Sequence, residues 1–268
     1  MFTFGAGVQW FEAYEAAKEH NRVIVGGFSA RGSLGAAGGW LAGGGHSAIS
    51  PNYGLGKSGA TDLILFLSFV TFTGVDNVLE ITIVTADGNH IIANPYCNED
   101  LFWALRGGGG GTWGVVTSVT YKTHPSTPYS SVFFDAYSTN VNSTREILKE
   151  VIRLTPSIVE QGYGGYGGGS TGRIFLIVVS PNVTGEQTRA TFRPLFDLAT
   201  SLPSVTLQNY TLVYNDLWQF NDVILASKDG QVGAPTEISS WLLPKNVFDT
   251  DNPGKLADEL LKLSTFGY

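Results

Sequence analysis

The chain has 268 residues, 43% of them hydrophobic, enough apolar material for one large domain or two ordinary ones, which excludes global disorder. Its 16 Lys and Arg against 23 Asp and Glu give a net charge of −7 with no basic cluster, which excludes a nucleic-acid partner, because phosphate binding needs a cationic surface. Cys97 is the single cysteine, so an intramolecular disulfide and a cysteine-based zinc site are excluded, and no metal site is read.

In chain order, MFTFGAGVQW lacks the basic and apolar regions of a signal peptide. Phe11, Tyr14, Ala17 and Lys18 recur at helical spacing, which predicts an amphipathic helix over Trp10–His20. Arg22–Gly27 reads as a short strand, and glycine makes Gly32–Ser47 mostly loop. Leu63–Thr73, the longest apolar run, has 11 residues; a bilayer takes about 20, so it reads as a buried or interfacial segment with no membrane span. Val78–Ala86 and His90–Ala93 predict a hairpin on a two-residue Asp87-Gly88 turn. Asn98-Glu99-Asp100 predicts the cap of a short helix, Leu101–Leu105, and Val115–Lys122 a strand.

The second half has strands at Phe133–Tyr137, Arg173–Ser180 and Thr206–Tyr214. Helices are expected at Thr144–Leu154 (capped by Ser143), Glu186–Leu202 and Lys255–Leu263, with Gly162–Gly172 as a glycine-tyrosine loop. Strands interspersed with amphipathic helices predict an α+β layer, an antiparallel sheet with helices on one face.

Two glycine-rich segments stand out. Gly35–Ser47 has side chains too small for much chemistry but permits close approach of backbone N–H groups to a flat or anionic ligand. In the second, Asp100–Arg106 leads into Gly107–Gly111 and on to Gly114; helix runs into glycine and then strand, the reverse of a nicotinamide-dinucleotide loop. Gly56-Lys57-Ser58 is not a phosphate-binding loop, because Pro51 stands where its first glycine is needed. His46 reads as a base, a flavin neighbour or a polar loop residue, and Arg106 as a phosphate ligand or a helix C-terminal cation. Tyr163, Tyr166 and Tyr210 read as pocket lining or core, and Cys97 as an inert thiol. Three N-x-[ST] sequons, at Asn142, Asn182 and Asn209, point weakly toward secretion.

The ordered string GAAGGWLAGGGHS, YGL, DNVLE, ADG, DLFWALRGGGGG and GVVTSVT resembles the berberine-bridge-enzyme-like branch of the vanillyl-alcohol-oxidase flavoproteins, over about Thr3–Pro125. The resemblance implies the second half of a PCMH-type FAD-binding domain over residues 1–125, followed by a partial substrate domain over 126–268. It implies FAD and the oxidation of a small-molecule substrate, an alcohol, an amine or a sugar, by hydride transfer to flavin. The implied FAD contacts are Ser33, Leu34, Gly35, Gly38, Gly39, Gly44, His46, Tyr53, Gly54 and Val78, and Leu34 falls where the family governs oxygen access. Arg31 replaces the family's flavin-linking cysteine, so FAD is expected to bind non-covalently. The family's upstream pyrophosphate loop and downstream segment, often with the catalytic base, are not in the chain, and secretion is expected of the full-length protein. The alternative is a non-catalytic remnant with weak or no FAD binding. Lys57–Gly74 interrupts the family pattern with 18 residues, equivalent to 54 nucleotides at three per residue, and reads as a translated short intron.

Overall fold

The computed structural model describes residues 1–27, 34–53, 62–64, 68–70, 74–226, 243–248 and 252–263. In chain order the first elements are β1 (Phe2–Gly5), α1 (Trp10–Glu19), β2 (Arg22–Val23), α2 (Gly39–Ala42), α3 (Ser50–Tyr53), β3 (Asp62–Ile64), β4 (Ser68–Val70), β5 (Val78–Val84), β6 (His90–Ala93), α4 (Glu99–Leu105), β7 (Val115–Tyr121) and β8 (His124–Pro125). Then come β9 (Tyr129–Ser138), α5 (Val141–Glu160), β10 (Gly164–Ser170), β11 (Arg173–Pro181), α6 (Gly185–Ser201), β12 (Val205–Tyr214), α7 (Leu217–Ala226) and α8 (Pro253–Leu263). They form two compact units, one of Met1–Lys57, Phe72–Thr127 and Asp216–Thr236, the other of Ser58–Thr71, Pro128–Asn215 and Glu237–Tyr268.

The first unit is built on a four-stranded antiparallel sheet in the order β1-β7-β5-β6, with β2 and β8 as a separate ribbon. Trp10, Ala13, Tyr14 and Ala17 give α1 its buried stripe, and these pack with Ile81, Ile83, Val119 and Tyr121 of the sheet. Phe11, expected on that stripe, is 41% exposed. β2 stops at Val23 rather than at Gly27: a Cβ on Gly26 would overlap the Trp10 ring, so the chain there runs past the indole instead of pairing. The β5–β6 connection spans Thr85–Asn89, closed by the Thr85 N–H to Asn89 O bond at 3.0 Å, and is longer than the expected two-residue turn. Asn98 precedes α4 at φ 53° without capping it; its amide donates to Ile92 O at 2.7 Å.

The second unit holds the six-stranded sheet β12-β9-β11-β10-β4-β3. Val132, Phe134 and Ala136 of β9 and Ile174, Leu176 and Val178 of β11 are buried together with the apolar faces of α5, α6 and α8. α5 begins earlier than expected and is capped by Asn140, whose Oδ1 accepts from the Asn142 N–H at 2.9 Å; Ser143 instead donates to Pro203 O at 3.1 Å. The segment expected to be a glycine-tyrosine loop is strand β10, antiparallel to β11 from Gly164↔Val179 to Ser170↔Arg173. Its glycines are required by the neighbour: a Cβ on Gly168 would overlap the Phe175 ring, and one on Gly165 would overlap Ile177 O. Within the inserted segment, β3 pairs with β4, and β4 with β10 at Gly165↔Phe69 and Tyr166↔Ser68.

Candidate functional site

The two glycine-rich segments, more than 60 residues apart, meet in the first unit. The Gly109 N–H donates to Ala42 O at 2.9 Å. A Cβ on Gly107 would lie 3.6 Å from Gly44 Cα, and one on Gly110 3.6 Å from Ala42 Cβ. Both are ordinary van der Waals separations, and it is the left-handed φ of Gly107, 113°, that favours glycine there. The 3-10 turn Gly74–Asn77 closes the other side, with the Gly74 N–H on Gly45 O at 2.6 Å and the Val75 N–H on Gly44 O at 3.2 Å.

The loop is anchored from below. Ala36 N–H donates to Val8 O at 2.8 Å, the Trp10 N–H to Leu34 O at 2.8 Å, and the buried Tyr121 hydroxyl to Ala36 O. Trp40 Nε1 donates to His46 O at 3.1 Å. Above these anchors the backbone is bare: a Cβ on Gly39 or Gly44 would meet nothing within 4 Å, and Gly44 (φ 96°) and Gly45 (φ 61°) hold left-handed conformations.

Of the residues carried over by resemblance, Leu34, Gly35, Gly38, Gly39, Gly44 and His46 therefore lie in one continuous segment, in which Gly39 opens the short helix α2. Leu34 is half-buried beside Gly27 and packs on the core. His46 is exposed, yet burial of its ring against the loop lowers its pKa, so it is neutral at pH 7. Tyr53, in α3, packs against His124 with ring centroids 4.4 Å apart and the planes tilted by 38°. Val78 is 2% exposed and belongs to the core of the sheet. Ser33, Gly54 and Arg31 lie outside the described residues.

The sequence reading did not single out Ser47, Ser50, Asn77 or His124 as site residues. Ser47 and Ser50 are fully buried with hydroxyls that have no hydrogen-bond partner. Asn77, one residue before Val78, is fully buried; its Oδ1 accepts from His124 Nε2 at 2.8 Å while its Nδ2 has no partner. Burial, helped by the nearby Lys122 and Arg22 cations, pushes the His124 pKa down to about 4. Arg106 lies over the Phe102 ring at 4.3 Å, with Nε buried and unpartnered. Orphaned buried polar atoms of this kind are rare in folded proteins, and a bound group that supplies the missing partner is one way to satisfy them. A bare glycine backbone with two free hydroxyls fits a flat, anionic dinucleotide such as FAD.

The second unit offers a different surface. Opposite its helix-covered core, the sheet presents Phe133, Asp135 and Tyr137 of β9, Arg173 and Phe175 of β11, and Tyr210 of β12. Arg173 donates twice to Asp135, both at 2.8 Å, and lies over the rings of Tyr137 (4.9 Å) and Phe175 (5.2 Å). Tyr210 stands 5.9 Å from Phe133 and is 54% exposed, and Tyr166 falls on this face by register. Tyr163 is core: fully buried, its hydroxyl 2.7 Å from Thr188 Oγ1. Cys97 is exposed and free.

No family model matches the chain. It is 35% identical over 271 residues to an uncharacterised FAD-linked oxidoreductase of Arthroderma benhamiae, covering 99% of this chain and 44% of that protein. It is 31% identical to the FAD-linked oxidoreductase ffsJ of Aspergillus flavipes, covering 92% of this chain and 36% of that one. The crystal structure of the VAO-type flavoprotein MtVAO615 from Myceliophthora thermophila superposes with a TM-score of 0.78 at 25% identity, over 98% of this chain and 45% of that one. The berberine-bridge-enzyme-like 1 protein of Physcomitrella patens, at 21% identity and a TM-score of 0.61 over 85% of this chain and 44% of that one, shares the fold. The chain thus spans less than half the length of these relatives, and over that span it is similar in sequence to FAD-linked oxidoreductases and in fold to a vanillyl-alcohol-oxidase-type flavoprotein.

Proposed function

We propose that this chain is about half of an FAD-linked oxidoreductase, in which the glycine loop of the first unit holds FAD without a covalent bond. The observation that carries the reading is the meeting of the two glycine segments around open backbone at Gly39 and Gly44. Gly35, Gly38, Gly39 and Gly44 would admit the cofactor to the main chain, and Ser47 and Ser50 would donate their free hydroxyls. His46, uncharged at neutral pH, would serve as a hydrogen-bonding partner and add no positive charge. FAD, when bound, supplies a hydride acceptor for the oxidation of an alcohol, an amine or a sugar-like hydroxyl. The aromatic sheet face with its Arg173–Asp135 pair suits a substrate of the last kind, because flat rings stack on sugar faces and a charged pair orients hydroxyls. We further read the chain as part of a secreted protein, on the support of its three sequons.

The test is to purify the chain, add FAD, remove the excess and record the visible spectrum. Retained flavin bands support the reading; a folded, colourless protein that ignores FAD overturns it. The short span, 44% of the Arthroderma benhamiae relative, favours a second reading, a remnant without turnover. Flavin that stays bound but is not bleached anaerobically by a panel of alcohols, amines and sugars would select that one.

A further inference from the structure

We propose that Asn182 is an N-glycosylation site, occupied in preference to the chain's other two acceptor sequences; the inference rests on the reading of the chain as part of a secreted protein. All three acceptors end in threonine, Asn142-Ser143-Thr144, Asn182-Val183-Thr184 and Asn209-Tyr210-Thr211, so the local sequence does not separate them. The fold does.

Asn182 lies on the surface connection between β11 and α6, exposed, at φ 57°. An exposed asparagine on a surface turn leaves room for a bulky glycan. Its backbone is fixed by the bond from its N–H to Pro128 O at 2.9 Å. Thr184, the acceptor threonine, is exposed and outside the helix, where its Oγ1 accepts from the Gln187 N–H at 3.2 Å. No buried atom of the sequon has to be exposed for the sugar to be carried.

Asn209 is the opposite case. It sits in the middle of β12 opposite Phe134, half-buried, on the same side of the strand as Val205 and Leu207, which pack on the helical core. Because strand side chains alternate, a glycan on Asn209 would enter the layer between β12 and α6. Asn142 is intermediate: exposed itself, but in the first turn of α5, with Ser143 and Thr144 only 3% and 1% exposed. Its sequon is wound into a helix as the chain folds, so Asn142 is the lesser site.

The transfer draws on a lipid-linked oligosaccharide pyrophosphate. Asn182 Nδ2 bonds to C1 of the first sugar, the bond from C1 to the pyrophosphate oxygen breaks, the lipid pyrophosphate leaves, and one amide proton passes to solvent. Nothing is oxidised or reduced.

The experiment is to express the chain behind a cleavable secretion leader in yeast, pool cells and medium, release glycans with peptide-N-glycosidase in oxygen-18 water, and digest with trypsin. The three sequons fall on separate peptides, 123–145, 174–189 and 190–228. We expect the isotope label chiefly on 174–189 and none on 190–228. On a gel, N182Q loses the mass of one glycan and N209Q runs like the parent. Label on 190–228, an unlabelled 174–189, or no carbohydrate at all would overturn the proposal; the peptide measurement on the parent decides even if a variant folds poorly. The leader forces entry to the secretory route, so this outcome speaks to site choice alone. Retention of the natural gene product inside its own host's cells would sink the secretion reading separately.

Discussion

His124 shows how one residue ties the first unit to solution conditions. Burial, Lys122 and Arg22 lower its pKa to about 4, against 6.5 in an unfolded chain. Between those values the unfolded state binds a proton that the folded state refuses, so stability is complete above about pH 6.5 and is lost as pH falls toward about 4. The lowered His46 acts in the same direction. We expect the melting temperature to fall across that window, and His124→Gln, which cannot take up the proton, to flatten the slope. An equally steep decline in the variant would show that other groups control the acid limb. The residue-level reading of the sequence was partial for a physical reason. Glycine marks where backbone must be bare, so Gly39 and Gly44 were legible. Ser47, Ser50 and Asn77 matter because of what fails to meet them, and that depends on packing.

At the scale of elements, legibility followed side-chain periodicity. α6, β11 and β12 carry apolar residues at helical or alternating spacing and were readable to within a residue at each end, whereas α5 runs on to Glu160, six residues past the expected end. β10, GGYGGGS, has almost no side chains to alternate, and its strand conformation comes from nine-residue β11 beside it. The caps at Asn98 and Ser143 were misplaced because each side chain found a more distant partner. The inserted segment makes a prediction of its own. The position before Val75 must be glycine, since a Cβ on Gly74 would overlap the Trp40 indole. Removal of Lys57–Gly74 joins Gly56 to Val75 and keeps a glycine there. The deletion should therefore raise the melting temperature while leaving the loop intact; an unchanged or lower value would count against a translated intron.

For the whole molecule, the decisive fact is the span, 44% of one oxidoreductase and 45% of one flavoprotein structure. A cofactor held by one glycine loop forms only part of its contacts, so binding should be weaker than in a full-length relative. With Arg31 where the family has its linking cysteine, acid precipitation should release all bound flavin into the supernatant. Yellow colour retained in the pellet would mean that a bond has formed elsewhere. The α+β class was legible in the interspersed strand and helix periodicity, and the likeness to FAD-linked oxidoreductases in the motif order over Thr3–Pro125, whereas the aromatic face of the second unit was not, because it is assembled from four strands.

Trp40 carries one more consequence. Its indole is flanked by Gly27, Gly45 and Gly74, at each of which a Cβ would come closer than 3.0 Å to the ring. Three codons spread over nearly fifty positions therefore share a single steric constraint, and their fates in evolution are joined. While the indole stays, each glycine is locked. Once a lineage trades tryptophan for something small, Gly27 and Gly74 are released together, while Gly45 stays held by its left-handed φ of 61°.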